Sequence, residues 1–235
     1  MPNILVKKIL AVLSGFMLIL AVLIGSIRLS VFDRSFYMEL YDHLDLANQE
    51  GISRQDLDDS IFLMLDYVEN KRDDLDGTIF WKGKEQPTFN EKEISHMEDV
   101  KALWQNAKRW GWIFFALTLM IYIYFFWKTP RTAFSWICWG VVMGTVGFAV
   151  ILILLGSWMI FDFTSFWIRF HHMFFTNELW ILDPMTDFMI VICPENMFSS
   201  LIARLFTIFV PTLIVLFVLS VIYLKRKAPI GFENL

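Results

Sequence analysis

Two histidines, each set among acidic, amide or aromatic residues, are the side chains best suited to chemistry. His96 lies in the sequence Glu93-Ile-Ser-His-Met-Glu-Asp99, and His171 lies in Phe170-His-His-Met-Phe-Phe-Thr-Asn177. A histidine exchanges a proton near neutral pH, so it can serve as a general base or a general acid. On a helix Asp99 would share a face with His96, where its carboxylate could orient and activate the imidazole. For any single histidine the alternative interpretation is an interfacial side chain bonded to backbone.

The segment around His171 combines polar residues with many aromatic ones. Polar groups held near a membrane are candidates for function. The alternative is that the acids beside Pro184 and Pro194 only cap short helices. The polar and indole side chains in question are Arg169, Asn177, Trp180, Asp183, Asp187 and Glu195.

The sequence lacks the motifs that are typical of several other kinds of enzyme. It contains no Gly-rich phosphate loop, no Gly-x-Ser-x-Gly nucleophile and no His-Glu-x-x-His pair. The adjacent His171 and His172 indicate a metal only weakly, because neighbouring helical residues point in different directions and two ligands do not make a site. We therefore expect no metal and no other cofactor.

Four uncharged apolar stretches must position these histidines. About 20 apolar residues in a helix match a hydrocarbon core of about 30 Å. The chain is also 57% hydrophobic and 17% aromatic, more than a soluble domain carries. We predict an all-α integral membrane protein, a single polytopic domain over residues 1–235. Its four transmembrane helices are predicted at Ile9–Ile27, Trp110–Trp127, Ala133–Phe161 and Leu205–Leu224.

Charge predicts the orientation, because basic residues favour the cytoplasmic side. Lys7 and Lys8, Lys128 and Arg131, and Lys225–Lys227 flank the spans, whereas acids exceed bases in the loops 28–109 and 162–204. Both termini should be cytoplasmic and both loops outside, with the first span an uncleaved anchor rather than a signal peptide. We interpret the basic ends as topology signals rather than a lipid-binding cluster. A pI of about 5.6 argues against nucleic acid as a partner.

The outer loops should contain short helices packed at the membrane surface. Capping boxes at Ser53–Asp56 and Asn90–Glu93 predict helix starts, and Asp76-Gly77 and Gln86-Pro87 predict turns. A straight helix from Glu91 would place His96 about 20 Å from the start of the second span. We expect a shared site only if the two histidines lie within about 10 Å of each other.

The motifs resemble one family over most of the chain. They are Glu93-Ile-Ser-His96-Met-x-Asp99-Val, Phe170-His171-x-x-Phe174-Phe175-x-Asn177-x-x-Trp180-x-x-Asp183-x-x-x-Asp187 and Pro194-Glu195-x-x-Phe198. Together with the four spans they resemble the Lit-type lipoprotein intramolecular transacylases of bacteria. That family moves the sn-2 acyl chain of a diacylglyceryl-cysteine onto the α-amino group of the same cysteine, which gives a lyso-form lipoprotein.

The resemblance implies that His96 and His171 are the catalytic residues. From the chemistry of ester aminolysis we expect one of them to act as base towards the amine and the other as acid towards the glyceryl oxygen. We also expect Asp99 to orient His96 and Arg169 or Asn177 to stabilise the oxyanion, with Trp180, Asp183 and Asp187 as supporting residues. The partners would be diacylglyceryl-modified lipoproteins and membrane lipids, at the outer face of the bacterial cytoplasmic membrane.

Two other functions stay open at this point. One is a non-enzymatic membrane protein that binds lipid-modified chains through the aromatic loop. The other is a metal-dependent membrane hydrolase that uses His96, Asp99 and His171. A transporter is less favoured, because no span carries an ionisable residue at mid-depth.

Overall fold

The computed structural model describes residues 3–227, and this part of the chain is nearly all helical. Nine helices and one β-hairpin follow one another within it. In chain order they are α1 (Ile4–Val31), α2 (Arg34–Leu44), α3 (Leu46–Glu50), α4 (Arg54–Val68), β1 (Thr78–Trp81), β2 (Lys84–Pro87), α5 (Glu91–Lys128), α6 (Ala133–Phe161), α7 (Phe163–Phe174), α8 (Phe188–Ile192) and α9 (Glu195–Lys227).

Four of these helices, α1, α5, α6 and α9, are long and apolar enough to cross a membrane. The prediction of a helical membrane protein with four spanning helices is therefore confirmed. The helices extend beyond the apolar stretches, because their polar ends continue the same backbone hydrogen bonding. Thus α5 begins at Glu91 and α9 at Glu195.

The chain divides into two compact units, which are described separately. The membrane unit comprises the described residues within 3–28, 108–161 and 204–227. The loop unit comprises residues 29–107 and 162–203. The prediction of a single domain, and the predicted limits of the spans, stay predictions.

In the membrane unit, glycines bring α1 and α6 into backbone contact. A Cβ atom added to Gly140 would lie 2.1 Å from the carbonyl oxygen of Ala11, and one added to Gly15 would lie 2.0 Å from that of Gly140. Such close approach is how membrane helices gain packing energy without a hydrophobic driving force. Two buried apolar clusters flank the contact, one of Ala11, Phe125, Ala133 and Trp136 and one of Ile19, Phe148, Phe209 and Leu213.

In the loop unit, both predicted capping boxes define helix starts. The Ser53 hydroxyl accepts a hydrogen bond from the backbone N–H of Asp56 at 3.0 Å, which starts α4. At the start of α5, Glu93 Oε2 accepts from the backbone N–H of Asn90 at 2.7 Å, and Asn90 Oδ1 accepts from that of Glu93 at 3.0 Å. Both predictions are confirmed.

The β-hairpin is the element that the sequence analysis missed. The turn predicted at Gln86-Pro87 is wrong, since both residues belong to β2, and the reversal occurs at Lys82-Gly83. These two residues have φ angles of 51° and 79°, the left-handed pair that suits a two-residue hairpin. Trp81 turns inward and packs 5.2 Å from the ring of Phe188.

Glu93 ties the first turn of α5 to α8. Its carboxylate is only 1% exposed, and Oε1 accepts from the backbone N–H of Met189 at 2.5 Å while Oε2 completes the capping box. Burial raises the pKa of Glu93, whereas the two backbone N–H groups oppose that rise. One side chain thus joins segments that are distant in sequence.

The first prediction concerns this carboxylate. Glu93→Ala should destabilise the protein, because it leaves the buried N–H of Met189 unsatisfied, at about 1–3 kcal/mol, and also removes the cap on the N–H of Asn90. Thermal denaturation of the purified protein in detergent measures the loss. Glu91→Ala, an exposed acid in the same helical turn, is the matched control and should change little. Equal effects of the two substitutions would contradict the role of Glu93.

Candidate active site

His96 and His171 meet in the loop unit. The two imidazole rings have centroids 6.2 Å apart, and both side chains are buried, at 7% and 6% exposure. His96 projects from the beginning of α5, which runs unbroken to Lys128, and His171 projects from the end of α7. The separation lies well inside the limit of about 10 Å expected for a shared site.

Aromatic rings enclose the histidine pair. Phe175 packs against both imidazoles, at 5.2 Å from His96 and 5.6 Å from His171. Trp180 stacks on His171 at 4.7 Å with an interplanar angle of 26°, and Trp167 meets the same ring edge-on at 4.6 Å. These rings remove water from the imidazoles and leave each little freedom to turn.

A backbone carbonyl sets the orientation of His171. Its Nδ1 lies 2.8 Å from the carbonyl oxygen of Trp167, one helical turn earlier. A carbonyl only accepts hydrogen bonds, so this contact assigns the proton to Nδ1 and leaves the lone pair on Nε2. By contrast, His96 Nδ1 is buried and has no hydrogen-bond partner among residues 3–227.

Burial keeps both imidazoles neutral. The pKa of His96 is lowered to about 4, mainly by desolvation and also by the nearby His171, while Asp99 opposes the change. Desolvation also lowers the pKa of His171, although its bond to the Trp167 carbonyl opposes this effect. At neutral pH both rings are therefore free bases, ready to accept a proton.

The Asp99 carboxylate was expected to accept a hydrogen bond from the His96 imidazole, and the structure gives it another partner. Asp99 Oδ2 instead accepts from Asn177 Nδ2 at 2.8 Å. Asn177 is further fixed because its Oδ1 accepts from the backbone N–H of Leu179 at 3.1 Å and its carbonyl oxygen accepts from the Trp180 indole at 3.0 Å. Asp99 acts on His96 only through its charge, and it holds the segment that carries Trp180.

Asp187 organises the loop beyond Trp180. Its buried carboxylate accepts from Asn90 Nδ2 at 2.9 Å, Lys92 Nζ at 3.1 Å and the backbone N–H of Asp183 at 2.8 Å. These bonds lower the pKa of Asp187 although burial works in the opposite direction. Asp183 is exposed and caps the adjacent turn, where its Oδ1 accepts from the backbone N–H of Met185 at 2.8 Å. Both acids hold the loop and make no contact with the histidine pair.

Arg169 lies on α7, two residues before the buried His171. Its side chain is exposed, and two residues that far apart on a helix point to roughly opposite sides. The role of Arg169 in stabilising an oxyanion stays a prediction.

Sequence reasoning left several contacting residues without a role. Glu93 was recognised only as a cap, and Asn90 and Lys92 were not recognised as partners of Asp187. Trp167 precedes His171 by four residues, the helical spacing that places their side chains together. Within the described residues no three His, Cys, Asp or Glu side chains form a group able to hold a metal ion.

Comparison with known proteins gives the family and the fold. The family model for the lipoprotein intramolecular transacylase Lit matches residues 12–198. A structure of the membrane-integral Lit from Bacillus cereus has a TM-score of 0.76 and 16% identity, and the match covers 97% of this chain and 100% of that one. A second structure, which carries a histidine-to-arginine mutation, has a TM-score of 0.73 and 15% identity over 96% and 95% of the chains. The search of curated proteins gives no match.

At 15–16% identity, the similarity to these structures shows the fold alone. The family model shows membership of the family, because its match spans most of the sequence and includes both histidine motifs. This chain belongs to the Lit family, the lipoprotein intramolecular transacylases.

Proposed function

We propose that this protein transfers the sn-2 acyl chain of a lipoprotein's diacylglyceryl-cysteine to the α-amino group of the same cysteine. The observation that carries the proposal is the buried pair of neutral histidines, with ring centroids 6.2 Å apart. The lyso-form lipoprotein leaves with its mass unchanged. Diacylglyceryl-modified lipoproteins are thus the substrates, and membrane lipids are the surroundings.

The chemistry needs a base more than a nucleophilic side chain. An α-amino group has a pKa of about 7.7–8.0, so roughly a tenth is neutral at pH 7. The amine nitrogen attacks the ester carbonyl, the C–N bond forms, and the C–O bond to glycerol breaks. Since amine and ester belong to one molecule, holding them together supplies a high effective molarity without an acyl-enzyme.

The two histidines divide the proton transfers. His171 Nε2 takes the proton of the attacking amine, because the Trp167 carbonyl holds Nδ1–H and stabilises the imidazolium that forms. The proton then passes through the pair, and His96 delivers it to the departing glyceryl oxygen. One proton leaves nitrogen and one reaches oxygen, so the pair ends as it began.

Asp99 and Asn177 serve as positioning residues. Their hydrogen bond holds the 177–180 segment, whose Trp180 stacks on His171. A base locked in its productive orientation avoids the reorganisation that a mobile ring requires. Lys92 and Asp187 fix the next part of the same loop.

The orientation follows from the charges that flank the spans. Both termini lie in the cytoplasm, and the loops that carry the histidines lie outside the bacterial cytoplasmic membrane.

The main prediction is a change of acyl position in a reporter lipoprotein. In cells without another N-acylating enzyme, expression of this protein should move one acyl chain from glycerol to the amine. His96→Ala and His171→Ala should each slow the transfer about 10²–10⁴-fold, the usual loss on removal of a general base or acid. Mass spectrometry with fragmentation of the N-terminal peptide locates each chain.

Control variants separate chemistry from folding. His43→Ala replaces an exposed histidine on α2 and is the matched control, which should retain transfer at a similar expression level. His172 meets Trp180 edge-on at 5.1 Å, so His172→Ala should slow transfer far less than His171→Ala. An unchanged diacylglyceryl terminus with well-expressed protein would overturn the proposal and favour a non-enzymatic role in binding lipid-modified chains.

The pH profile provides an independent prediction. The deprotonated histidines are the active forms, and burial lowers both pKa values, that of His96 to about 4. As the pH is lowered from 7, the rate should therefore fall with the neutral fraction of the amine, roughly tenfold per pH unit, without the further break near pH 6.5 that an ordinary histidine would add. Initial rates in detergent measure this slope. An additional break near pH 6.5 would show an ordinary histidine and contradict the buried pair.

Substitutions of Asp99 distinguish its hydrogen bond from its charge. Asp99→Asn retains an oxygen that accepts from Asn177 but removes the charge, whereas Asp99→Ala removes both. We expect Asp99→Asn to stay within about threefold of the unaltered protein and Asp99→Ala to lose about tenfold or more, as for a lost bond to a charged group. Initial rates at saturating substrate test this. Equal losses would assign Asp99 to the electrostatics of His96 instead.

A further inference from the structure

An apolar groove runs between α1 and α6 in the membrane unit. It measures about 520 Å³, within the about 300–1,000 Å³ typical of ligand sites. The only charged side chain on its wall is Lys8, among Ile9, Val12, Leu13, Phe16, Met143, Gly144 and Gly147. Gly147 leaves part of this wall open, because a Cβ atom there would meet nothing within 4 Å. An apolar groove with a cation on its wall suits an amphiphilic anion.

The fold gathers basic segments at the end of the membrane unit where Lys8 lies. Lys7 Nζ lies 5.9 Å from the ring of Trp136, and Phe134 packs 4.6 Å from Tyr223. These contacts place the start of α1, the α5–α6 connection and the end of α9 together. The basic residues of this end are Lys7, Lys8, Lys128, Arg131, Lys225, Arg226 and Lys227, and no described residue of these three segments is acidic.

We propose that this groove binds one anionic phospholipid, with an acyl chain along Val12 and Gly147 and the headgroup phosphate at Lys8. Lys8 makes no salt bridge with the described residues, so its ammonium group is available to a phosphate. Basic residues near a membrane surface attract anionic lipids by about 1 kcal/mol each. The sequence presented these residues as separate topology signals, whereas the fold collects them beside a groove.

The lining of the groove suits an acyl chain. The α1–α6 contact at Gly15, Gly140 and Gly144 brings the two backbones together, and the wall of the groove beside it is almost entirely hydrocarbon. An anionic phospholipid satisfies both parts at once, since its chain replaces other lipid on the apolar wall and its phosphate meets Lys8. In phosphatidylcholine the quaternary ammonium group offsets the charge of the phosphate, so this zwitterionic lipid gains little beyond the first interaction.

Native mass spectrometry of the full-length protein in detergent tests the proposal. The protein is titrated with phosphatidylglycerol or with phosphatidylcholine that carries the same acyl chains. Phosphatidylglycerol should be retained preferentially as a single bound lipid. Lys8→Gln should lower its retention about fivefold, the factor that corresponds to about 1 kcal/mol, with little effect on phosphatidylcholine.

Glycine substitutions test the groove itself. Gly147→Phe should fill it and displace the retained lipid, whereas Gly25→Phe places the same ring at another open glycine, outside the groove, and should not. Melting temperatures establish that both variants fold, and Lys8→Gln provides the test if Gly147→Phe does not. Equal retention of the two phospholipids, unaffected by Lys8→Gln, would overturn the proposal. A dimer of the unaltered protein that dissociates on Gly147→Phe would also overturn it, since a second copy of the chain would then occupy the groove.

Discussion

Exclusion of water from two adjacent imidazoles is the constraint on which the loop unit depends. A protonated His96 would lack both solvation and a hydrogen-bond partner, so burial lowers its pKa to about 4 and keeps the ring neutral. The aromatic rings around the pair create this environment, and they also hold the rings still. Burial reduces the basicity of His96, but the His96 ring is in its free-base form at any pH at which the substrate amine is neutral.

Buried carboxylates perform a different task in the same unit. Glu93 and Asp187 both accept several hydrogen bonds, and they connect the first turn of α5 with the loop between Asp183 and Met189. Their carboxylates bond to backbone N–H groups and, in the case of Asp187, to Asn90 and Lys92, rather than to the imidazoles. The site therefore separates the groups that fix the frame from the groups proposed to exchange protons.

The sequence predicted those parts of the structure that depend on local pattern. Apolar length identified four spans, and the capping boxes at Ser53 and Asn90 located two helix starts. The motif resemblance brought His96 and His171 together. What failed depends on long-range pairing, because nothing local indicates that Asp99 bonds Asn177 rather than His96. The hairpin was missed although Lys82-Gly83 suits its turn, because Gln86-Pro87 gave the stronger turn signal.

Among residues 3–227, the charged side chains that act on the pKa values of the histidine pair are Asp99 and neighbouring histidines rather than a lysine or arginine. Arg169 is exposed, and Lys92 is occupied by Asp187 and by the carbonyl oxygen of Ile181. A permanent cation beside the pair would lower the histidine pKa values further and would remove the base from use. In the proposed reaction, the imidazolium formed during the transfer meets the charge that develops on the ester oxygen. An enzyme that makes its cation only when the amine loses its proton stabilises the transition state without stabilising the substrate to the same degree.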